Sequence, residues 1–107
     1  MNLTRLKTLH DAMPVTMHHY GAHEPKAPYG VWAEDADVSP SADNVGSTLI
    51  LGGTTDYYTK AENDANVDAI EAVFAGASAW IAAQLSSIQY EDDTGLLHYE
   101  WTWEAVV

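Results

Sequence analysis

Cysteine is absent from this chain, and cations nearly so: four Lys and Arg stand against sixteen Asp and Glu. The first absence excludes a disulfide framework, a thiolate metal site and a cysteine nucleophile. Long hydrophobic runs are missing too, none approaching the roughly 20 residues that span a bilayer. The opening "MNLTRLKTLHD" lacks the apolar block and cleavage site of a signal peptide, so the expectation is a cytoplasmic product with no membrane partner. The scarcity of Lys and Arg bears on nucleic acid, because duplex binding depends on cationic side chains that displace counterions from phosphates. Direct, specific nucleic-acid binding is not expected.

What is present amounts to one domain of 107 residues, enough for a single hydrophobic core. Its net charge of -12 is lopsided. Residues 1–30 hold Arg5, Lys7 and Lys26 against Asp11 and Glu24, whereas the remainder sets only Lys60 against fourteen acids. Such acidity suits solubility, contact with a basic partner, or a surface that repels DNA.

Leu3, Leu6, Leu9 and Met13 recur at helical spacing after Asn2, which predicts a helix over residues 2–12 that stops by Pro14. Alternation in "PVTMHHY" and extended character in "PYGVWAE" predict strands at Val15–Tyr20 and Tyr29–Glu34 that form a hairpin around the breaker-rich "GAHEPKAP". "EDADVSPSADN", Glu34 to Asn44, has almost nothing to bury and reads as a solvated loop. "STLILGGTTDYYT" is a third strand, with a bulge or a close backbone approach at Gly52 and Gly53. Capping signals at Thr59–Glu62 and Asp64 start a second helix between residues 60 and 65; Gly76 can end it, although "ASAWIAAQL" is helix-forming enough to blur that end. "IQYEDDTGLLHYEW" then gives a hairpin around "DDTG", with a bulge at Ser86 and Ser87.

The order predicts an α+β fold, a mostly antiparallel sheet of about four to five strands flanked by two main helices. In the last strand Leu97, Tyr99, Trp101 and Trp103 alternate with His98, Glu100, Thr102 and Glu104, so one face covers a core and the other meets something hydrophilic. With Phe74 and Trp32, these aromatics are most simply core. An aromatic platform for single-stranded nucleic acid would interleave them with basic residues, and that accompaniment is missing.

Chemistry is sparse. His18, His19 and His23 lie close together beside Glu24, but adjacent strand residues face opposite ways, so His18 and His19 do not chelate one ion unless the strand breaks. The carboxylates of "EDD", Glu91 to Asp93, crowd a tight turn instead of facing each other across a pocket. No phosphate-binding loop, nucleophile elbow, HExxH or EF-hand pattern occurs, and "DADVSPSADN" lacks the glycine and terminal glutamate of a calcium loop. No cofactor, metal or catalytic residue is expected.

"APYGVWAED", "ADN", "GTTDYYTKAENDANVDAIEAVF" and "SIQYEDDTGLLHYEWTWEA", taken in order, resemble the small tail-completion proteins of long-tailed bacteriophages and prophages, the tail-terminator and head-to-tail joining group. The likeness runs from about Pro14 to Glu104. Where that family often has Asp-Pro at the start of its helix, this chain has Asp64-Ala65. The resemblance implies a structural, non-enzymatic α+β subunit that forms a ring, commonly a hexamer, at the head-proximal end of the tail tube. Its partners would be other copies of itself, the major tail-tube protein and the head-connector protein. It would reside in the host cytoplasm during assembly and in the virion tail afterwards, with DNA passing through an acidic lumen that does not retain phosphates. On this reading Glu34, Asp35, Asp37, Asp43, His98, Glu100 and Thr102 are candidate interface or lumen residues. Two other readings use the same residues: an acidic DNA mimic that inhibits a nuclease or another DNA-binding protein, and a small acid-base enzyme.

Overall fold

The computed structural model describes residues 1–40 and 48–107. The chain runs α1 (Thr4–Asp11), β1 (Met17–His19), β2 (Tyr29–Asp37), β3 (Ile50–Thr59), α2 (Ala65–Gly76), β4 (Ile81–Glu91) and β5 (Leu96–Val106). The strands form one sheet in the order β1-β2-β3-β5-β4, antiparallel throughout except for β1 with β2. This is the α+β fold expected from the order of elements.

Period two along β5 sorts the sheet into a covered and an open face. Trp101, Trp103 and Ala105 are buried and join Trp32, Tyr57 and Ile81 of neighbouring strands, under Leu6, Leu9, Ile70 and Phe74 of the two helices. Cross-strand register holds these residues together, Leu51 opposite Ala105 and Thr55 opposite Trp101. Gly53 lies opposite Trp103. A Cβ on Gly53 would collide with the Ala33 carbonyl oxygen and the Trp103 ring, so this glycine marks a close approach.

Local chemistry fixes the helices. The Thr4 N–H donates to Asn2 Oδ1 at 2.9 Å, and Lys7 pairs with Asp11 one turn on at 3.0 Å. Asp64 caps α2 by accepting from the Asn66 N–H at 2.9 Å. Its second oxygen accepts from the hydroxyls of Tyr57, at 2.5 Å, and Thr59, at 2.7 Å, which ties the helix start to β3. The cap is therefore Asp64, and Thr59 acts through it.

Several sequence expectations need correction. β1 and β2 are parallel, with Met17 opposite Gly30 and His19 opposite Trp32, so they are not a hairpin. A three-residue strand spans only about 10 Å. The connection from Tyr20 to Pro28, folded at Tyr20 and Glu24 by positive φ, is long enough to return the chain to its starting level. Glu34 to Asp37 belong to β2 instead of a loop, because Ala36 and Asp37 still pair with Gly52 and Leu51 of β3. Of the two alternatives expected at Gly52 and Gly53, the close backbone approach is present at Gly53, and the bulge lies across the ladder, at Asp35.

β4 begins at Ile81, inside the helix-forming "ASAWIAAQL". Ile81, Ala83 and Leu85 each face a core residue of β5, and that tertiary pairing overrides the helix propensity of the alanines. Gly76 closes α2 without entering the left-handed region; Gly95, at φ 71° in the "DDTG" turn, is the glycine that does, among the described residues. The expected irregularity at Ser86 is present, as a register shift between Leu85 and Ser87.

Candidate functional site

The open face of the sheet carries a cluster built by register. Asp56 of β3 lies directly opposite Glu100 of β5, and Tyr58 lies opposite His98. Two carboxylates in directly opposed positions repel each other, so the pair needs a proton or a cation. His98 supplies the nearest partner: its Nε2 is 2.6 Å from Asp56 Oδ1, and its Nδ1 is 3.3 Å from Glu91 Oε2 on β4. Tyr58 stacks on the imidazole with ring centres 4.3 Å apart, and Tyr29 stacks on Tyr58 at 4.8 Å. Three strands thus contribute rings to one column that fixes the plane of His98.

The cluster is half-buried and electrostatically strained. Burial, followed by the charge of Asp56 and a hydrogen bond with it, raises the Glu100 carboxyl above its ordinary pKa. Burial and the surrounding carboxylates, Asp56 first, push the Tyr58 hydroxyl up to about 12, and burial with Glu91 raises that of Tyr29. Both phenols therefore stay neutral at physiological pH. Asp56, His98 and Glu100 each offer one ligand atom, all within 4.8 Å of one another, which is the set able to hold a metal ion among the described residues.

The other candidate residues scatter. Thr102 and Asp35 line one shallow concavity of about 540 Å³ on the open face, together with Thr54, Gln84 and Glu104. Glu34 points to the helix side, where its carboxylate accepts from His19 at 2.7 Å and from the Tyr20 hydroxyl. Burial works to raise the Glu34 pKa, but these hydrogen bonds, joined by a backbone hydrogen bond and the nearby His19, hold it below the ordinary value. Asp37 is exposed at the end of β2, and Asp43 lies outside the described residues. His18 and His19 do face opposite sides, His19 stacking on Trp32 at 3.8 Å and His18 lying edge-on to Tyr29.

Sequence reasoning missed Asp56, Glu91 and His10. Asp56 is the lone acid within the β-branched and aromatic "GGTTDYYT", which was the available signal. Glu91 reads in sequence as part of the tight turn with Asp92 and Asp93, yet it ends β4 and reaches His98. His10 is fully buried: its Nδ1–H donates to the Leu6 carbonyl at 2.8 Å and its Nε2 accepts from the Thr55 hydroxyl at 2.7 Å. Thr55 in turn accepts from Trp103 Nε1–H at 2.9 Å, so the network is complete with a neutral imidazole.

Compared with known proteins, the chain matches no protein-family model, no curated protein and no solved structure.

Proposed function

We propose that this chain is a structural tail-completion subunit that assembles with copies of itself into a ring at the head-proximal end of a phage tail tube, joining tail to head. One structural observation supports the assembly step above the others. Among the described residues β4 is an edge strand of eleven residues, "IAAQLSSIQYE", with no lysine and no proline along it; its one edge-blunting device is the bulge between Leu85 and Ser87, which leaves residues 87–91 as the stretch open to pairing. Ile88 and Tyr90 in its distal half are 58% and 63% exposed. An edge left this open in a monomer is a template for another strand.

The complementary edge lies on the far side of the sheet. β1 pairs only with Gly30–Trp32, which leaves the outer side of β2 beyond Trp32 without a strand partner among the described residues. A contact between unlike edges is heterologous, and repetition of such a contact closes into a ring when the rotation permits. Self-repulsion from a net charge of -12 opposes association of free subunits, so assembly waits for the tube end or for salt that screens the charge. The same acidity suits a channel through which DNA passes without being held. The sequence resemblance supplies the phage context, and the absence of a catalytic motif from the sequence accords with a structural role.

Purified protein mixed with purified tail tubes should add one ring of density at a single end of each tube in electron micrographs. Ile88→Lys combined with Tyr90→Lys leaves the folded subunit intact, because both side chains are exposed, and abolishes that density. Full decoration by the double variant, or binding along the tube wall, would refute the edge-pairing model.

A further inference from the structure

The open-face cluster has the composition and support of a metal centre. We propose that Asp56, His98 and Glu100 bind a borderline divalent transition-metal ion of the zinc type, with Glu91 orienting the histidine from behind. This stands apart from the ring assembly, which uses the β4 edge.

The donor set comes first. One imidazole nitrogen and two carboxylate oxygens suit zinc or cobalt, whereas magnesium and calcium prefer oxygen alone. The three ligand atoms lie within 4.8 Å of one another. Around an ion with bonds of about 2.1 Å, tetrahedral ligands lie about 3.4 Å apart, so small side-chain rotations bring the three atoms onto one ion. Asp56 and His98 are already at 2.6 Å and part slightly to admit the ion, which takes the place of the proton between them.

The outer contacts are those a ligating histidine uses. With Nε2 on the metal, Nδ1 carries the proton and faces Glu91 Oε2, 3.3 Å away as an ion-pair contact that a small side-chain movement turns into a hydrogen bond. The Tyr58 ring holds the imidazole plane at a centre-to-centre distance of 4.3 Å. The Ser86 hydroxyl lies 3.4 Å from Glu100 Oε1 and 3.0 Å from the Glu100 carbonyl, so the second carboxylate is steadied at the β4 bulge. No lysine or arginine forms an ion pair with Asp56, Glu91 or Glu100 among the described residues. Three protein ligands leave a position open for water or for a group from another molecule.

Zinc titration of the full chain by calorimetry in a non-chelating buffer tests this, with imidazole NMR spectra recorded in parallel. The expected result is one zinc per chain, with the His98 ring nitrogens shifting and those of His18 and His23 unmoved. His98→Ala weakens binding at least 100-fold, Glu100→Gln and Asp56→Asn each weaken it strongly, and Glu91→Gln weakens it 10- to 100-fold. His23→Ala leaves it unchanged. Near-UV circular dichroism checks that each variant is folded, and the wild-type NMR shifts locate the ion without any variant. No saturable binding up to millimolar zinc, binding that persists in folded His98→Ala, or shifts confined to His18 and His23 would each overturn the proposal.

Discussion

Trp101→Ala lowers the free energy of unfolding by about 3 to 5 kcal/mol, a large share of the 5 to 15 kcal/mol typical of native proteins. The Trp101 side chain is wholly buried. It packs against Phe74 with ring centres 6.2 Å apart and against Tyr99 at 6.4 Å, so truncation opens a cavity between α2 and the centre of the sheet. One feature moderates the loss: Trp101 Nε1 has no hydrogen-bond partner among the described residues, and removing the indole also removes that unpaired N–H. Thr102, the next residue, points to the open face, and Thr102→Ala stays within about 0.5 kcal/mol in the isolated subunit. Denaturant titration of the two variants measures both. Equal losses, or a harmless Trp101→Ala, would mean that the covered and open faces are exchanged.

Acidification destabilises the protein through His10. Burial, the largest influence, lowers its pKa from 6.5 to about 4, against a raising contribution from the hydrogen bond to Leu6. In the unfolded chain the same side chain takes up a proton near pH 6.5. Between the two values the unfolded state binds more protons, so stability falls as pH falls; the loss begins near pH 6.5 and is complete below about 4. From pH 7 to 4.5 this amounts to roughly 2 to 3 kcal/mol. His10→Gln removes the titrating group, so its stability, whatever its absolute level, declines less over that interval by about the same amount. Identical pH slopes for wild type and His10→Gln would contradict the buried neutral imidazole. The geometry explains why charging is costly: Nε2 accepts the Thr55 O–H, and a protonated Nε2 would force that hydroxyl, which already accepts from Trp103, to turn its own proton away from the partner it has in the neutral network.

Period two was legible wherever one face of a strand was buried. Leu97 to Ala105 gave the core side of β5, and the slip at Ser86 announced the bulge in β4. Pairing direction was less legible, since the alternation of Val15 to Tyr20 is the same whether β1 runs with β2 or against it. Composition misled at Glu34 to Asp37, where acids read as solvent and the ladder to Leu51 through Gly53 supplied the structure. The site was hidden for a related reason. His98 and Glu100 were placed on the hydrophilic face, but Asp56 is 42 residues from His98, and only the register of β3 against β5 joins them. Burial of His10 was equally invisible, because a histidine one residue before Asp11 in an amphipathic helix reads as its polar edge.

The claim that this subunit completes a tail is tested most directly by electron microscopy of particles made by a phage or prophage from which its gene has been deleted. On that proposal, loss of the end-capping ring leaves tube growth without a stop and filled heads without a surface to receive a tail. The account predicts DNA-filled heads without tails, beside free tubes that are overlong or unjoined, with normal particles restored when the wild-type gene is supplied in trans. Normal, tailed, infectious particles from the deletion would contradict it. If the purified protein instead formed a tight complex with a nuclease of the host, the acidic surface would be that of a DNA mimic.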